Sequence, residues 1–238
     1  MPQDKRHATI ILASLNRFYN NPPPMVKEIV VKNIIFDWSG TIADDLRQVW
    51  RATNVALVGC GGSAISLARF RREFCLPFRP FYRRHLPGVP QPKIDKFFFG
   101  DLVNVQPSIG LLPHASGFLR YCQRSGIRTY VVTTVKTPHF LEQARRLGVA
   151  PFLTATLSGV RDKRRAIRRF FRETKMKPRE TLFVGDMSHD IETARVAGCH
   201  ACAVLTGFNF RDELIAAQPD FLVKNLSDLR KQLNHATL

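Results

Sequence analysis

The sequence predicts an α/β protein in which a parallel β-sheet lies between two layers of helices and carries a mostly helical insert. From residue 29 onward, short apolar and β-branched runs alternate with segments of helical periodicity. This alternation is typical of a parallel sheet covered by helices on both faces. Between residues 46 and 105 the alternation stops, and an aromatic, arginine-rich segment with several prolines takes its place.

The strands and helices of the core follow from these runs. Six strands are predicted, at residues 29–36, 128–134, 152–156, 181–185, 201–205 and 220–223. Four helices are predicted, at residues 114–125, 138–147, 163–174 and 188–197. Gly126 and Gly148 follow two of these helices and suit helix C-caps, where the backbone is left-handed.

The predicted core is interrupted by the insert. It comprises residues 25–45 and 106–238, and residues 46–105 form the insert. Ligands of open α/β sheets bind beyond the carboxyl ends of the strands. Since the insert leaves the core at that edge, it is expected to cover the site as a lid. Residues 1–24 join a charged start to a proline run and are expected to be a disordered tail, with a signal or an over-long start as alternatives.

Composition excludes some classes of function. No uncharged apolar run approaches the roughly 18 residues of a membrane helix, so no membrane association is expected. The five cysteines are odd in number and scattered, which favours a reducing cytoplasm over a disulfide framework. The net charge of +17 predicts attraction to phosphate-bearing partners. Nucleic acid is possible but not favoured, because the most basic stretch, 161–173, has the pattern of an amphipathic helix with a solvated face. The sequence does not indicate the oligomeric state.

Acidic side chains follow two of the predicted strands. Asp37 ends the run IIFD, and Asp186 and Asp190 follow the run LFVG. Because parallel strands bring their carboxyl ends to one edge, these three carboxylates are expected to converge. Three close carboxylates repel one another and favour protonation unless a cation joins them. Mg²⁺ is the expected cation, since it prefers carboxylate oxygens, water and substrate phosphate.

Phosphoryl transfer fits such a site. One carboxylate can attack phosphorus to form an aspartyl-phosphate, while a hydroxyl from Thr133 and the charge of Lys163 hold the phosphoryl group. The turn after Asp37 supplies backbone N–H groups. Thr134 competes with Thr133, since strand alternation lets only one of them face a given side. The substrate-binding candidates are Gly40, Thr41, Thr133, Thr134 and Lys163.

Four segments carry a resemblance to a known family. IIFDWSGT, YVVTT, the lysine of RDKRRAI and FVGDMSHD resemble, in order and spacing, the four motifs of the haloacid dehalogenase-like hydrolase superfamily, in its phosphoglycolate phosphatase and phosphonatase-like branch. The resemblance implies a Rossmann-like three-layer core with a smaller helical cap domain inserted after the first motif. It implies that Asp37 is the nucleophile and that Thr133 and Lys163 bind phosphate. The implied metal ligands are Asp37, the backbone carbonyl of Ser39, Asp186 and Asp190.

Ser39 departs from this pattern. Most phosphatases of the superfamily carry a second aspartate at this position, which protonates the leaving oxygen and activates water. A serine hydroxyl titrates too high for that task, which puts a rate factor of about 10²–10⁴ at risk. His85, His139 or His189 could replace the missing acid, and leaving groups that need little protonation, such as aryl or acyl, would be favoured. The predicted catalytic set is Asp37, Ser39, Thr133 and Lys163.

The expected function is that of a Mg²⁺-dependent phosphatase acting on a small phosphorylated metabolite through an aspartyl-phosphate. A phosphonatase-like C–P hydrolase is the first alternative; it needs a cap lysine for a Schiff base, and only Lys93 and Lys96 lie in the insert. A dehalogenase fits less well because it needs no metal. A non-catalytic relative that binds anions or nucleic acid is the remaining alternative.

Overall fold

The computed structural model of the protein describes residues 9–12 and 27–234. The first two strands, Thr9–Leu12 (β1) and Lys27–Val30 (β2), pair in antiparallel fashion outside the main sheet. After Val31 and Lys32 the chain enters the main sheet, where the Lys32 N–H donates to the Glu180 carbonyl oxygen at 2.9 Å.

Six parallel strands form the main sheet. They are Asn33–Phe36 (β3), Arg128–Val132 (β6), Leu153–Leu157 (β7), Thr181–Gly185 (β8), His200–Val204 (β9) and Phe221–Val223 (β10). Their spatial order is β10-β9-β8-β3-β6-β7. Strand β3 is therefore central, with Ile35 opposite Tyr130 of β6 and Phe183 of β8. All four residues of β3 are buried, which explains the continuous apolar run in its sequence.

Helices cover both faces of the sheet. They are Ala115–Arg124 (α5), Thr137–Arg146 (α6), Lys163–Thr174 (α7), Ser188–Ala197 (α8), Arg211–Ala216 (α9) and Leu226–Asn234 (α10). Successive side chains of a strand point to opposite faces. Ile34 accordingly packs in one apolar cluster with Phe118 of α5 and Phe140 of α6. Ile35 packs in a second cluster with Ile167 of α7. These two clusters make the three-layer core.

The insert is a bundle of four helices. They are Leu46–Gly59 (α1), Leu67–Glu73 (α2), Arg79–His85 (α3) and Gln91–Val105 (α4). Two short strands flank it, Ala43–Asp44 (β4) and Gly110–Leu111 (β5), and they pair with each other. The apolar cluster of the insert, which includes Phe70 and Phe81, also contains Met187 and Phe208 from the core. The cap thus packs against the carboxyl edge of the sheet.

The predicted core elements are confirmed with small shifts. All four helices match within one residue. The prediction of one strand over 29–36 is wrong, because the chain breaks at Val31 and Lys32 where it passes from the β1–β2 pair into the main sheet. Strands β1, β4 and β5 were not predicted. None of the helices within the described residues combines the length and the apolar character that crossing a membrane requires.

The predicted disordered tail, residues 1–24, is described only at Thr9–Leu12, which form β1. Residues 1–8 and 13–24 lie outside the described part of the chain.

Candidate active site

Three buried carboxylates meet at the carboxyl edge of the sheet. Asp37 follows β3 directly, and its N–H donates to the Val184 carbonyl oxygen of β8 at 2.8 Å. Asp186 follows β8, and Asp190 lies in the first turn of α8. One oxygen from each carboxylate lies within 4.8 Å of the other two. The convergence expected from the strand ends therefore occurs.

Lys163 neutralises part of this charge. It is the first residue of α7 and is fully buried, and its Nζ lies 2.7 Å from Asp37 Oδ1 and 2.7 Å from Asp190 Oδ1. The Asp162 side chain caps the helix at this point by accepting the Arg164 N–H at 3.1 Å. Three carboxylates and one ammonium leave a net charge of −2 when all four are ionised.

The electrostatics favour binding of a cation. Burial raises the pKa of Asp37 to about 7; the Asp190 charge acts in the same direction and Lys163 opposes it. Burial, together with the charges of Asp37 and Asp190, raises the pKa of Asp186 well above its ordinary value. Burial would lower the pKa of Lys163, but Asp190 and Asp37 hold it above its ordinary value. A set of hard oxygen donors with a residual charge of −2 fits one divalent cation such as Mg²⁺.

Two glycines lie against Asp186 at positions where a side chain would not fit. Thr41 Oγ1 donates to Asp186 Oδ1 at 2.9 Å, and the Phe208 N–H donates to Oδ2 at 2.7 Å. Gly40 has φ +70°, and a Cβ there would lie 2.5 Å from Asp186 Oδ2. A Cβ on Gly207 would also collide with this carboxylate. The two loops therefore hold Asp186 in one position.

Hydrogen-bond donors of the predicted phosphate-binding turn already have partners within the protein. The Gly40 N–H donates to the Ala43 carbonyl oxygen at 2.9 Å, and the Thr41 hydroxyl binds Asp186. Thr134 lines the cavity beside Asp37, whereas Thr133 is buried and its hydroxyl oxygen accepts the Val135 N–H at 3.1 Å. Of the two threonines, the structure therefore places Thr134 on the cavity wall.

Ser39 has an acidic partner that sequence analysis missed. Its hydroxyl donates to Asp45 Oδ2 at 2.7 Å, and Asp45 is only 2% exposed. Burial raises the pKa of Asp45 to about 7; the hydrogen bond from Ser39 opposes this shift, and the charge of Asp37 adds to it. Asp45 immediately precedes α1 and would be expected to cap it, yet its side chain makes no capping hydrogen bond. Sequence analysis assigned Asp45 no role, and only the tertiary structure shows its contact with Ser39.

The three histidine candidates lie in different surroundings. His139 lines the cavity, stacks on Phe99 with a 12° interplanar angle, and has a pKa lowered by burial and by Lys136. His189 is buried, and its Nε2 lies 3.3 Å from the Lys163 backbone nitrogen. His85 contacts Glu73 at 2.6 Å. Of the three, only His139 lines the cavity.

A cavity of about 120 Å³ separates the cap from the core above Asp37 and Ser39. Five phenylalanines line it: Phe74, Phe78, Phe98, Phe99 and Phe208. Sequence analysis did not identify this wall. The first four come from three places in the insert, and the fifth comes from a core loop more than 100 residues away.

The chain is similar in sequence to two curated proteins. The chain is 27% identical over 199 residues to the phosphoglycolate phosphatase of Synechococcus elongatus, covering 82% of this chain and 94% of that protein. It is 27% identical over 229 residues to the phosphoglycolate phosphatase of Escherichia coli O157:H7, covering 84% and 91% respectively.

Solved structures share the fold. A predicted phosphoglycolate phosphatase from Haemophilus somnus 129pt superimposes with a TM-score of 0.70 at 19% identity, over 84% of this chain and 97% of that one. CbbY from Rhodobacter sphaeroides, solved in complex with phosphate, gives a TM-score of 0.71 at 20% identity, over 86% and 100%. The model of the haloacid dehalogenase-like hydrolase family matches residues 34–204, which is more than half of the chain. The protein therefore belongs to the haloacid dehalogenase-like hydrolases, as its four motifs predict.

Proposed function

We propose that the protein is a Mg²⁺-dependent phosphatase that hydrolyses a small phosphorylated metabolite through an aspartyl-phosphate on Asp37. The observation that carries this proposal is the cluster of Asp37, Asp186 and Asp190 with Lys163 at the carboxyl edge of the sheet. Relatives named phosphoglycolate phosphatase support a phosphate monoester as the substrate.

Asp37, Asp186, Asp190 and the backbone carbonyl of Ser39 would hold the metal ion. When bound, Mg²⁺ supplies positive charge to the oxygens of the transferring phosphoryl group. The raised pKa values of Asp37 and Asp186 support this assignment, because both carboxylates need a positive neighbour to remain ionised.

Asp37 is the nucleophile in this proposal. Its Oδ1 is held by the Trp38 N–H at 2.6 Å and by Lys163 at 2.7 Å, so we assign the attack to Oδ2. The new Oδ2–P bond forms as the P–O bond to the leaving group breaks, and the electron pair goes to the leaving oxygen. Water then attacks the aspartyl-phosphate, which releases inorganic phosphate and restores the carboxylate.

Lys163 and Thr134 have different tasks. Lys163 is buried between two carboxylates and fixes Asp37 in place, so we expect it to position the nucleophile as well as to lower the negative charge. Thr134 lines the cavity and is the better placed of the two threonines to donate to phosphate oxygens.

The alternatives have less support. Neither Lys93 nor Lys96 lines the cavity, so the Schiff-base reaction of a phosphonatase has no cap lysine at the site. A non-catalytic role draws on the net charge alone and does not explain the acidic cluster. The five cysteines are all unpaired, which supports our placement of the enzyme in a reducing cytoplasm.

The test is a phosphate-release screen over phosphorylated metabolites, with Mg²⁺ or with EDTA, and with Asp37→Asn as the blank. We expect release by the wild type that requires Mg²⁺ and is lost in the variant. Release that persists in Asp37→Asn, or no release from any substrate of a broad panel, would overturn the proposal.

A further inference from the structure

Phenylalanines from both the insert and the core line the cavity above Asp37. Phe74 from the insert and Phe208 from the core lie with their ring centroids 5.8 Å apart. Phe98 and Phe99 of α4 lie 5.1 Å apart with perpendicular rings. A group that is bound to a phosphoryl on Asp37 and extends into this cavity therefore meets mostly apolar side chains, five of them phenylalanines.

The arginines of the insert do not supply the cavity with positive charge. Arg69 pairs with Glu73 at 2.7 Å, and Arg72 pairs with Asp212 at 2.6 Å. Arg71 donates to the carbonyl oxygens of Phe208 and Asn209 at 3.0 and 3.1 Å. None of these three arginines lines the cavity.

Among the described residues that line the cavity, Lys136 alone carries a formal positive charge, and its Nζ lies 3.3 Å from the centroid of the Phe99 ring. Lys136 is exposed at the rim of the cavity. The wall therefore offers no arginine fork for a carboxylate or a second phosphate of the substrate.

We infer that the substrate is a phosphate monoester of an aromatic alcohol, aryl or benzylic, whose ring packs against these phenylalanines while its phosphate meets Asp37. A polar, hydroxylated group would lose its water there and find few hydrogen-bond partners, because apolar side chains make up most of the wall. An aromatic ring removes apolar surface from water and makes ring–ring contacts. This inference rests on the proposed function and names its substrate class.

Hydrolysis of such an ester needs no reactant other than water. The ester P–O bond breaks as the Asp37 O–P bond forms, the electron pair stays on the leaving oxygen, and that oxygen takes its proton from water. A phenolic oxygen, with a pKa near 10, needs this proton less than an alkoxide does. Among the proposed substrates, the aryl esters therefore also suit a site with Ser39 where an acidic side chain is usual.

The test compares two monoesters of primary alcohols, benzyl phosphate and 2-phosphoglycolate, by phosphate release from the wild-type enzyme with Mg²⁺. We expect kcat/KM to be at least about tenfold higher for benzyl phosphate, the order of discrimination that an apolar pocket achieves. An equal or higher kcat/KM for 2-phosphoglycolate would overturn the inference while leaving the phosphatase proposal intact. Release from neither ester, nor from phenyl phosphate, would overturn the inference. The proposed phosphatase function would be contradicted only if the enzyme also released no phosphate from any substrate of the broad metabolite panel.

Substitutions at two adjacent phenylalanines test whether the cavity causes the preference for an aromatic substrate. Phe98→Ala removes a ring from the cavity, whereas Phe97→Ala removes a ring that lines a separate groove with Trp50. We expect Phe98→Ala to lower kcat/KM on benzyl phosphate by about tenfold and on acetyl phosphate by less than about twofold. Phe97→Ala should leave the ratio between the two substrates unchanged. If Phe98→Ala fails to fold, Phe98→Leu should show the same change in ratio, and equal effects of Phe97 and Phe98 substitutions would contradict the inference.

Discussion

Asp37 lies where two very different surfaces meet. Below it, toward the sheet, are Asp186, Asp190 and Lys163, all buried. Lys163 Nζ lies 2.7 Å from Asp37 and from Asp190, and one oxygen of Asp186 lies within 4.8 Å of an oxygen of each of the other two carboxylates. Above it, toward the cap, is the phenylalanine wall, in which Phe98 and Phe99 are only half-buried. The acidic cluster is held by backbone donors at strand ends, whereas the wall is held by packing between helices of the insert.

This difference separates reaction from recognition. The carboxylates depend on the sheet, since each follows a strand or begins the helix after it. The phenylalanine wall depends on the position of the cap, because four of the five phenylalanines belong to the insert. Changes in the cluster are therefore expected to abolish turnover, and changes in the wall are expected to alter which substrate is used.

The largest expected effect is that of Asp37→Asn. Removing the nucleophile should lower kcat for phosphate release by at least about 10³-fold, since the amide cannot form the acyl-phosphate. Asp44→Asn is the matched control, because Asp44 is an exposed aspartate seven residues later. Comparable rates for Asp37→Asn and the wild type would show that the reaction does not pass through Asp37.

Lys163→Met should lower stability as well as rate. Removing the ammonium leaves Asp37 and Asp190 without their shared partner in a fully buried site. We expect a loss of about 3–5 kcal/mol in the free energy of unfolding, measured by urea denaturation in EDTA. Lys177→Met serves as the control, because Lys177 is exposed and precedes the start of β8, whereas Asp186 follows its end. A stability within about 1 kcal/mol of wild type, the most that a surface ion pair usually contributes, would contradict the buried ion-pair arrangement.

Exchanging Ser39 and Asp45 should improve hydrolysis of poor leaving groups. In Ser39→Asp alone, the new carboxylate would face Asp45 across the present 2.7 Å contact, and the two would repel. The double variant Ser39→Asp with Asp45→Ser keeps one hydroxyl and one carboxylate but places the carboxylate at the cavity. We expect about a tenfold or greater gain in kcat on an alkyl phosphate for the double variant and none for Ser39→Asp alone. Equal behaviour of the two variants would show that the Ser39–Asp45 contact does not matter.

The smallest expected effect is a pH dependence of stability. The folded-state pKa values of Asp37 and Asp45 are about 7, above the ordinary value of 3.8, and that of Asp186 is also raised. As pH rises from about 4 to 7, the unfolded chain releases protons that the folded chain retains, so stability is lost across this window. Mg²⁺ favours the ionised cluster, so its addition should raise Tm by several degrees more at pH 7.5 than at pH 5.

This measurement has an internal control. His139, whose pKa is lowered by burial and by Lys136, contributes a pH dependence of opposite sign that is present with and without the ion. The difference between the Mg²⁺ and EDTA curves removes that contribution. The same Mg²⁺-induced shift at both pH values, or the same shift in Asp186→Asn, would contradict the role assigned to the cluster.

The sequence predicted the sheet and the acids for physical reasons. The buried central strand β3 has the sequence NIIF, which ends in three consecutive apolar residues. The first charged residue after it, Asp37, must lie at the edge of the sheet. The helices were equally visible, since Ile167, Phe170 and Phe171 repeat at helical spacing in α7. Local patterns of this kind fix the position of a residue without reference to the rest of the chain.

The contact between Ser39 and Asp45 and the aromatic wall were not visible. Asp45 stands next to Asp44 in a position that suits helix capping, and only the tertiary structure shows that Asp45 turns inward to Ser39. Phe97 and Phe98 are adjacent phenylalanines of α4, yet they line different cavities. Which of the two faces the site depends on the rotation of α4 within the cap, and composition carries no record of that rotation.

The most direct test of the central claim is the binding of divalent cation to the purified protein, measured by isothermal titration calorimetry in wild type, Asp186→Asn and Asp44→Asn. We expect one Mg²⁺ per chain in wild type and in Asp44→Asn, and a loss of binding of at least about tenfold in Asp186→Asn. Binding of equal strength in all three proteins, or in none, would contradict a metal site formed by Asp37, Asp186 and Asp190.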